Sequence, residues 1–294
     1  MSMNFHGIIP YLVSPIDQST GSVKKKVLTQ LVKDLLAKGV HGLSPLGSTG
    51  EVHYLTSNQK SEIVRTVVDA AEGKVPVIPG VTAYTPAEAI EQINHFEKLG
   101  VDGVVIILNT YFTLSKRDIL DFFKTVARSV SCPIVLYNNP KFSSVDLTPE
   151  IVIELAQEPN ISYFKDATGN TGRLLSIINQ AGDQIKIFSA SAHIPVFVMQ
   201  LGGVGWMAGP ACIFPEQSVH LYNLASCGRW EEALEAQKQL WSANEIFQKY
   251  NLATCIKAGL EIQGYDVGDP IPPLKLLDRN ALDIIKGVLR RTSL

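Results

Sequence analysis

The sequence carries little charge and almost no excess of either sign. Of its 294 residues, 26 are Lys or Arg and 28 are Asp or Glu, so the formal net charge at pH 7 is −2. Proteins that bind nucleic acid or an anionic membrane often show runs of about five or more like charges. The densest basic stretch here is Lys24-Lys25-Lys26, which is typical of a solvated first helical turn. The sequence therefore predicts no nucleic-acid partner and no membrane attachment.

Long apolar runs are missing as well. No stretch reaches the roughly 18 residues that a membrane-spanning helix needs. Residues 1–10 lack the basic segment followed by an apolar segment that marks a secretory signal. We therefore expect no membrane span and a cytoplasmic location.

Cysteine is scarce, and the spacings that bind metals do not occur. The four cysteines lie far apart without a C-x-x-C pair, and the six histidines show neither H-x-x-x-H nor H-E-x-x-H spacing. Zinc sites and dense disulfide frameworks depend on such spacings. The sequence therefore predicts reduced thiols and no bound metal.

Apolar residues, by contrast, make up 46% of the chain, which supplies a large core and excludes intrinsic disorder. Short apolar runs alternate with amphipathic stretches, the pattern of a parallel sheet covered by helices. Such short, almost wholly apolar runs are typical of strands buried on both faces. Eight strands are predicted, at residues 7–14, 42–46, 75–79, 103–108, 134–137, 161–165, 185–189 and 203–207.

Capping residues mark the intervening helices. Thr56-x-x-Gln59 and Thr85-Pro86-x-Glu88 are predicted to form capping boxes. Eight strand–helix pairs within about 225 residues close most economically into a (β/α)8 TIM barrel. Beyond them only helical periodicity remains, at residues 230–250, 254–263 and 281–291. We therefore predict an α/β protein with a barrel at residues 1–225 and a C-terminal three-helix extension at residues 226–294, together forming one structural unit.

In such a barrel the active site lies at the carboxyl ends of the strands. Polar residues stand at four of these ends. His53 and His193 are compatible with the border of the same mouth, but a place on the surface or behind the site is favoured for both. The four segments are Gly47-Ser48-Thr49-Gly50-Glu51, Thr110-Tyr111, Tyr137-Asn138-Asn139-Pro140 and Lys165-Asp166. They are predicted to converge on one site.

Lys165 is the principal candidate for chemistry. Alternation along its strand places Lys165 and Tyr163 on one face, and Phe164 and Asp166 on the other. Loss of hydration in a barrel mouth lowers a lysine pKa from about 10.4 toward neutrality, and the free amine can attack a carbonyl carbon to form a Schiff base. A lysine at a strand end can also extend to solvent, so position alone leaves both roles open.

Three other features have two interpretations each. Tyr137, one strand over, offers a phenol that can shuttle a proton, or an aromatic ring that packs on the barrel rim. The glycines of Gly47-Ser48-Thr49-Gly50 allow backbone N–H groups to converge on a carboxylate, although ordinary turns have the same composition. Gly202-Gly203-x-Gly205 is compatible with a phosphate cradle, but it lacks the G-x-G-x-x-G spacing, so close backbone approach is favoured.

Three motifs, taken in order, resemble those of a known family. They are Gly47-Ser48-Thr49-Gly50-Glu51, Tyr137-Asn138-Asn139-Pro140 and Phe164-Lys165-Asp166-Ala167-Thr168-Gly169. On these motifs the chain resembles the dihydrodipicolinate synthase and N-acetylneuraminate lyase family over essentially its whole length. The resemblance implies a TIM barrel and a class I aldolase that forms a Schiff base with pyruvate or a related 2-oxo acid. It also implies an aldehyde as second substrate, no metal or organic cofactor, and a homotetramer built as a dimer of dimers.

The resemblance assigns catalytic roles to four residues. Lys165 corresponds to the Schiff-base lysine and Tyr137 to the proton-shuttling tyrosine. Ser48 corresponds to the hydroxyl that links Tyr137 to a third group. Tyr111 corresponds to a tyrosine inserted from a neighbouring subunit, which implies that oligomerisation completes the site.

The resemblance also assigns substrate-binding residues. Thr49, with Gly47 in the same turn, corresponds to the group that holds the pyruvate carboxylate, and the backbone carbonyl of Met207 is expected near the bound 2-oxo acid. Phe142 stands where lysine-biosynthetic members usually carry an arginine that forks onto the aldehyde's carboxylate. Ala190 lies in a segment where Ser-Gly-Asp-Asp is common.

These departures favour a more apolar or differently functionalised aldehyde and disfavour feedback binding of lysine. Activity of the dihydrodipicolinate synthase type is expected. N-acetylneuraminate lyase, a 2-keto-3-deoxy sugar-acid aldolase or dehydratase, and a hydratase-aldolase are the alternatives within the family. Outside it, the alternatives are a barrel isomerase that binds phosphate at residues 202–205 and a non-catalytic protein that binds 2-oxo acids.

Overall fold

Parallel strands form one curved sheet in the computed structural model, which describes residues 4–292. Within this range the sheet has seven strands: β1 (Gly7–Pro10), β2 (Gly80–Ala83), β3 (Val104–Leu108), β4 (Ile134–Asn138), β5 (Ile161–Asp166), β6 (Lys186–Ser189) and β7 (Gly205–Ala208). Their order is β1-β7-β6-β5-β4-β3-β2, with every pair parallel. The order is that of a barrel in which only β1 and β2 are not directly paired.

The predicted second strand, residues 42–46, joins these two edges without forming a continuous ladder. Two isolated parallel bridges connect it to both sides: Leu43 with Val77, and Ser44 with Tyr11. A proline has no N–H to donate to a ladder, and the three joined segments contain several. These prolines are Pro10, Pro45, Pro76 and Pro79. The barrel therefore has its eight strand positions, but one of them is held by single bridges.

The same prolines explain two wrong strand boundaries. The strand predicted at residues 75–79 pairs only at Val77, and the ladder begins at Gly80. The strand predicted to reach residue 14 ends at Pro10, followed by the single bridge at Tyr11. The other five predicted strands agree with the structure to within two residues at each end.

Helices cover the outside of the sheet. The described part of the chain forms α1 (Lys25–Ala37), α2 (Ser57–Ala71), α3 (Pro86–Lys98), α4 (Lys116–Ala127), α5 (Pro140–Ser143), α6 (Pro149–Leu155), α7 (Thr171–Ala181), α8 (Pro195–Gln200), α9 (Pro215–Ser226), α10 (Trp230–Lys249), α11 (Leu252–Ile262) and α12 (Arg279–Thr292). None of the helices in residues 4–292 is long and apolar enough to cross a membrane.

One of the two predicted capping boxes is complete. Gln59 N donates to Thr56 Oγ1 (3.3 Å), and Thr56 N donates to Gln59 Oε1 (2.8 Å). At the start of α3, Glu88 N donates to Thr85 Oγ1 (3.2 Å), but the Glu88 carboxylate accepts from Tyr84 N (3.0 Å). The second box is therefore only half formed, because the Glu88 carboxylate accepts from Tyr84 N, one residue before the N-cap, instead of from Thr85 N.

The sheet separates two apolar layers. Inward-facing side chains such as Ile9, Val105, Tyr163 and Phe188 fill the barrel, while outward-facing side chains such as Phe164 pack under the helices. The opposite placement of Tyr163 and Phe164 confirms the predicted alternation along β5, and Lys165 accordingly points inward.

The last three helices pack back onto the barrel. Helix α10 contacts α8, α9 and α12, and α11 contacts the short turn Gly209–Cys212 that follows β7. This packing brings the end of α10 and the start of α11 to the carboxyl end of the sheet. The division between residues 225 and 226 stays a prediction, and residues 1–3 and 293–294 of the predicted ranges lie outside the described residues.

Candidate active site

Lys165 lies at the carboxyl end of β5, inside the barrel, with 4% of its surface exposed. Its Nζ is 3.7 Å from the centre of the Tyr11 ring and 3.8 Å from the centre of the Tyr137 ring. Tyr137 is placed there by register, because it pairs with Lys165 across β4 and β5. Within residues 4–292, Lys165 forms no ion pair with a carboxylate.

Burial keeps the pKa of Lys165 well below its usual value. The two aromatic faces favour the ammonium form, but such cation–π contacts contribute only about 0.5–2 kcal/mol each. Full burial of a charged group can shift a pKa by about 3–5 units, which is a larger effect. Desolvation therefore prevails, and the free amine, which is the nucleophilic form, persists below the usual pH range of lysine.

Tyr137 connects the lysine to a hydrogen-bond network. Its hydroxyl accepts from Asn139 Nδ2 (3.0 Å) and also bonds to the Ser48 side chain. Burial raises the pKa of Tyr137, and the bonds from Asn139 and Ser48 partly offset this. The phenol therefore stays protonated at neutral pH beside the Lys165 amine, where it can give and recover a proton.

The turn after the predicted second strand is packed tightly against this pair. A Cβ on Gly47 would lie 1.8 Å from Tyr11 Cδ1, so only glycine fits there. Gly50 N donates to Gly47 O (3.0 Å), and Ser14 Oγ donates to Gly50 O (2.6 Å). The turn is thereby fixed with Ser48 and Thr49 facing the cavity that Lys165 lines.

A buried ion pair anchors the end of the same turn. Glu51 has a left-handed backbone conformation (φ 53°), and its Oε2 lies 2.6 Å from Lys257 Nζ, with both side chains buried. Glu51 Oε1 accepts from Ile271 N (2.7 Å), and Lys257 Nζ donates to Asp269 O (2.9 Å). The pair thus ties the turn to α11 and to the loop beyond it.

Most of the predicted site residues meet in one cavity of about 190 Å³. Its wall includes Ser48, Thr49, Tyr137, Phe142, Lys165, Ala190 and Met207. Gly47 lies behind the wall, beneath Tyr11. A neighbouring cavity of about 320 Å³ contains His53 and shares four wall residues with the first, Ser48, Lys141, Phe142 and Leu252.

Tyr111 is the predicted catalytic residue that does not join the others. Its side chain is 88% exposed and contacts the Phe112 ring edge to face, with 5.1 Å between the ring centres. It lines neither of the two cavities. Within one chain, Tyr111 is therefore too far out to act on a group bound to Lys165.

Sequence reasoning missed several wall residues. Tyr11 follows the first strand and lies on the same side as Ile9, so alternation could have found it. Asn139 stands within a motif that was recognised but received no role. Asn244, Phe247, Gln248 and Leu252 come from the C-terminal helices, and no local signal links them to the barrel mouth.

The barrel isomerase that binds phosphate at residues 202–205 loses support from the geometry. The loop at residues 202–205 precedes β7, so it lies at the amino end of the sheet, opposite Lys165. A Cβ on Gly205 would lie 2.1 Å from Gly7 O, which shows that this glycine serves close strand approach. Among residues 4–292, no group of three or more His, Cys, Asp or Glu side chains is arranged to hold a metal ion.

The sequence profile of the Dihydrodipicolinate synthetase family matches residues 4–291. The chain belongs to this family. A relative from Jannaschia sp. (strain CCS1), named 4-hydroxy-tetrahydrodipicolinate synthase, is 32% identical over 99% of this chain and 99% of its own length.

Solved structures of the dihydrodipicolinate synthetase family have the same fold. A putative dihydrodipicolinate synthetase from Pseudomonas aeruginosa superposes with a TM-score of 0.95 at 26% identity, covering 99% of this chain and 100% of that one. The E. coli K12 prophage protein YagE, solved in complex with pyruvate, superposes with a TM-score of 0.92 at 30% identity over 99% of both chains. These likenesses confirm the predicted barrel with C-terminal helices, the family, and the enzyme class of a pyruvate-dependent, Schiff-base lyase.

Proposed function

We propose that this enzyme joins pyruvate, or a related 2-oxo acid, to an aldehyde through an imine on Lys165, or cleaves such a product by the reverse route. The observation that carries the proposal is the state of Lys165. Its amine is buried at the carboxyl end of a barrel strand, between two tyrosine rings, and no described residue provides a counter-ion. Desolvation of this kind supplies the free amine that imine formation needs.

The proposed reaction has four stages: imine formation, enamine formation, attack on the aldehyde and hydrolysis of the product imine. The Lys165 amine adds to the ketone carbon of pyruvate, and the carbinolamine loses water as the C–O bond breaks and a C=N bond forms. The iminium nitrogen draws electrons from the C3 methyl group, which loses a proton to give an enamine. The enamine C3 attacks the aldehyde carbon while the aldehyde oxygen takes up a proton. Water then hydrolyses the imine and releases a 4-hydroxy-2-oxo acid.

Tyr137 and Ser48 are proposed to move the protons of these steps. The Tyr137 ring contacts Lys165 Nζ, and its hydroxyl bonds to Ser48 at the cavity wall. A phenol with a raised pKa can donate to the leaving hydroxyl of the carbinolamine and be reprotonated through Ser48. Because the imine itself acts as the electron sink, the reaction needs no metal or organic cofactor.

The pyruvate carboxylate is proposed to bind at the Gly47-Ser48-Thr49-Gly50 turn. Ser48 and Thr49 line the cavity beside Lys165, and the turn is fixed from behind by Tyr11. Met207, fully buried on the opposite wall, bounds the space left for the 2-oxo acid.

The exposed position of Tyr111 supports a homotetramer built as a dimer of dimers. In one chain this phenol is remote from Lys165, whereas a second copy could deliver its own Tyr111 to the cavity beside Ser48. Exposed Tyr84 and Phe112 add apolar surface to the described part of the chain, as an interface requires. We further propose a cytoplasmic location, as the sequence predicts.

The second substrate is proposed to be an aldehyde that fits the wall formed by Phe142. The Jannaschia relative is named 4-hydroxy-tetrahydrodipicolinate synthase, and this activity is the first candidate. Lys141 lines both cavities, so its ammonium is available to a carboxylate on the aldehyde, although without the bidentate geometry of arginine. Phe142 lies on the cavity wall, 64% exposed, and its side chain cannot bind a carboxylate. It therefore favours a sugar-acid aldolase, whose aldehyde substrate has no carboxylate.

Borohydride trapping tests the imine directly. Sodium borohydride added with pyruvate should reduce the imine and leave a stable adduct on Lys165, which peptide mass mapping locates. Lys165→Ala removes the adduct, and Lys257, which is equally buried but paired with Glu51, serves as an internal control that should stay unlabelled. A folded enzyme that gives no adduct with pyruvate or other 2-oxo acids would refute the proposal.

A further inference from the structure

Helix α10 contributes an unusual polar group to the wall of the catalytic cavity. Asn244 lines this cavity and is 1% exposed. Neither its carboxamide oxygen nor its nitrogen has a hydrogen-bond partner among residues 4–292. Buried polar groups in native proteins are nearly always paired, and unpaired ones destabilise the fold. A polar group of a ligand in the cavity would supply the partner that Asn244 lacks.

A neighbouring side chain on the same helix shows what a structural amide does here. Gln237 lies seven residues before Asn244, which places it about two turns away on the same face. Its Oε1 accepts from Val196 N (2.8 Å), and its Nε2 donates to His193 O (2.9 Å). On α10, the Gln237 amide therefore has a partner for its oxygen and for its nitrogen. The Asn244 amide, which borders the cavity, has neither among residues 4–292.

The surroundings of Asn244 indicate what it would bind. The wall of the same cavity includes the apolar side chains of Phe142, Ala190, Phe247 and Leu252 and the uncharged polar side chains of Ser191 and Gln248. A carboxamide both donates and accepts hydrogen bonds, and a hydroxyl group does the same, whereas a carboxylate only accepts. Hydroxyl groups on an otherwise carbon chain therefore complement this wall better than a second carboxylate does.

We propose that Asn244 is a specificity-determining residue whose carboxamide pairs with hydroxyl groups of the second substrate. The enzyme then prefers hydroxyaldehydes to aldehydes of the same length without hydroxyl groups. A site whose buried polar groups are satisfied only by a substrate hydroxyl rejects the deoxy analogue, because binding the analogue leaves these groups unpaired. This inference rests on the proposed function, since it assumes that the aldehyde reacts with an enamine on Lys165.

The test compares matched aldehydes in the wild type and in Asn244→Leu, which keeps the size of the side chain and removes its polar atoms. With pyruvate saturating, kcat/KM is measured for glyceraldehyde and for propanal. The wild type should prefer glyceraldehyde. Asn244→Leu should lower the ratio of kcat/KM for glyceraldehyde to kcat/KM for propanal by about 10- to 100-fold, as expected for lost hydrogen bonds.

Two controls separate recognition from folding. Asn244→Leu should unfold at the same or a higher temperature than the wild type, because it removes an unpaired buried group. Gln237→Leu should unfold at a lower temperature, because it breaks the bonds that tie α10 to Val196 N in α8 and to His193 O just before α8. It should change kcat/KM for both aldehydes by the same factor.

The outcomes distinguish this inference from the function on which it rests. If borohydride traps no pyruvate on Lys165 in the wild type, the proposed function fails and this inference fails with it. If the adduct forms but the wild type shows no preference for glyceraldehyde over propanal, only the role of Asn244 is overturned. Equal losses for both aldehydes in Asn244→Leu overturn it as well.

Discussion

Breaking the Glu51–Lys257 pair is expected to damage both stability and catalysis. The two charges are 2.6 Å apart and buried, so each would be left without an opposite charge if the other were removed. Removing one partner of a buried pair typically costs about 3–5 kcal/mol, because the remaining charge stays desolvated. We therefore expect Lys257→Met to lower the free energy of unfolding by an amount in this range.

The surface pair Lys74–Glu72 is the matched control. Its charges are 2.7 Å apart, almost the same distance, but both side chains are exposed. Exposed pairs contribute about 0–1 kcal/mol, so Lys74→Met should change stability by no more than that. Since the distances agree, the expected difference comes from burial and from the bonds that Glu51 and Lys257 form with Ile271 N and Asp269 O.

A double-mutant cycle in urea measures the coupling. Glu51→Gln and Lys257→Met are each expected to be strongly destabilising, and the double variant should recover part of the loss, because no unpaired charge remains. Pyruvate trapping on Lys165 should slow in both single variants, since Ser48 and Thr49 belong to the turn that Glu51 anchors. Additive losses, or a Lys257→Met variant as stable as Lys74→Met, would refute this reasoning.

Three further predictions concern Lys165, Tyr137 and the Gly47 turn. Burial lowers the pKa of Lys165, so its free amine persists as the pH falls below the ordinary lysine range. The rate of pyruvate trapping should therefore decline only at a pH well below about 10. A decline centred near the usual lysine pKa would contradict the desolvation argument. Tyr137→Phe keeps the ring over Lys165 but removes the hydroxyl, and steady-state assays should show kcat/KM lower by about 10²–10⁴-fold; an unchanged value would exclude Tyr137 as the proton carrier. Gly47→Ala forces its Cβ into Tyr11 and should cost about 1–3 kcal/mol in urea unfolding, with slower trapping; wild-type stability would show that Tyr11 moves freely.

Much of the barrel can be predicted from the sequence because its rules are local. Alternation within β5 determined which way Lys165 points, and apolar runs located five strands to within two residues. The wrong strand boundaries occurred where the apolar pattern predicts a strand but prolines leave the ladder without N–H donors. Residues 75–79 have the composition of a strand, but Pro76 and Pro79 cannot donate to a ladder, so β2 begins only at Gly80.

The candidate catalytic residues could be placed from the sequence, but the whole cavity wall could not. Lys165, Tyr137 and the turn at residues 47–51 lie at strand ends, where the fold class itself indicates the site. Asn244 and Lys257 lie on helices that follow the barrel, and only tertiary packing brings them to the mouth. Periodicity shows that such helices have a buried face, but it does not show which neighbour that face covers.

The contribution of α10 to the cavity wall has an evolutionary consequence. Imine chemistry depends on strand ends and on one tight turn, whereas the far wall is supplied by a separate helix. If Asn244 selects the aldehyde as we propose, a substitution on that helix changes the accepted aldehyde while Lys165 and Tyr137 stay in place. Substrate range and imine formation are then separable in this chain, because they depend on different segments.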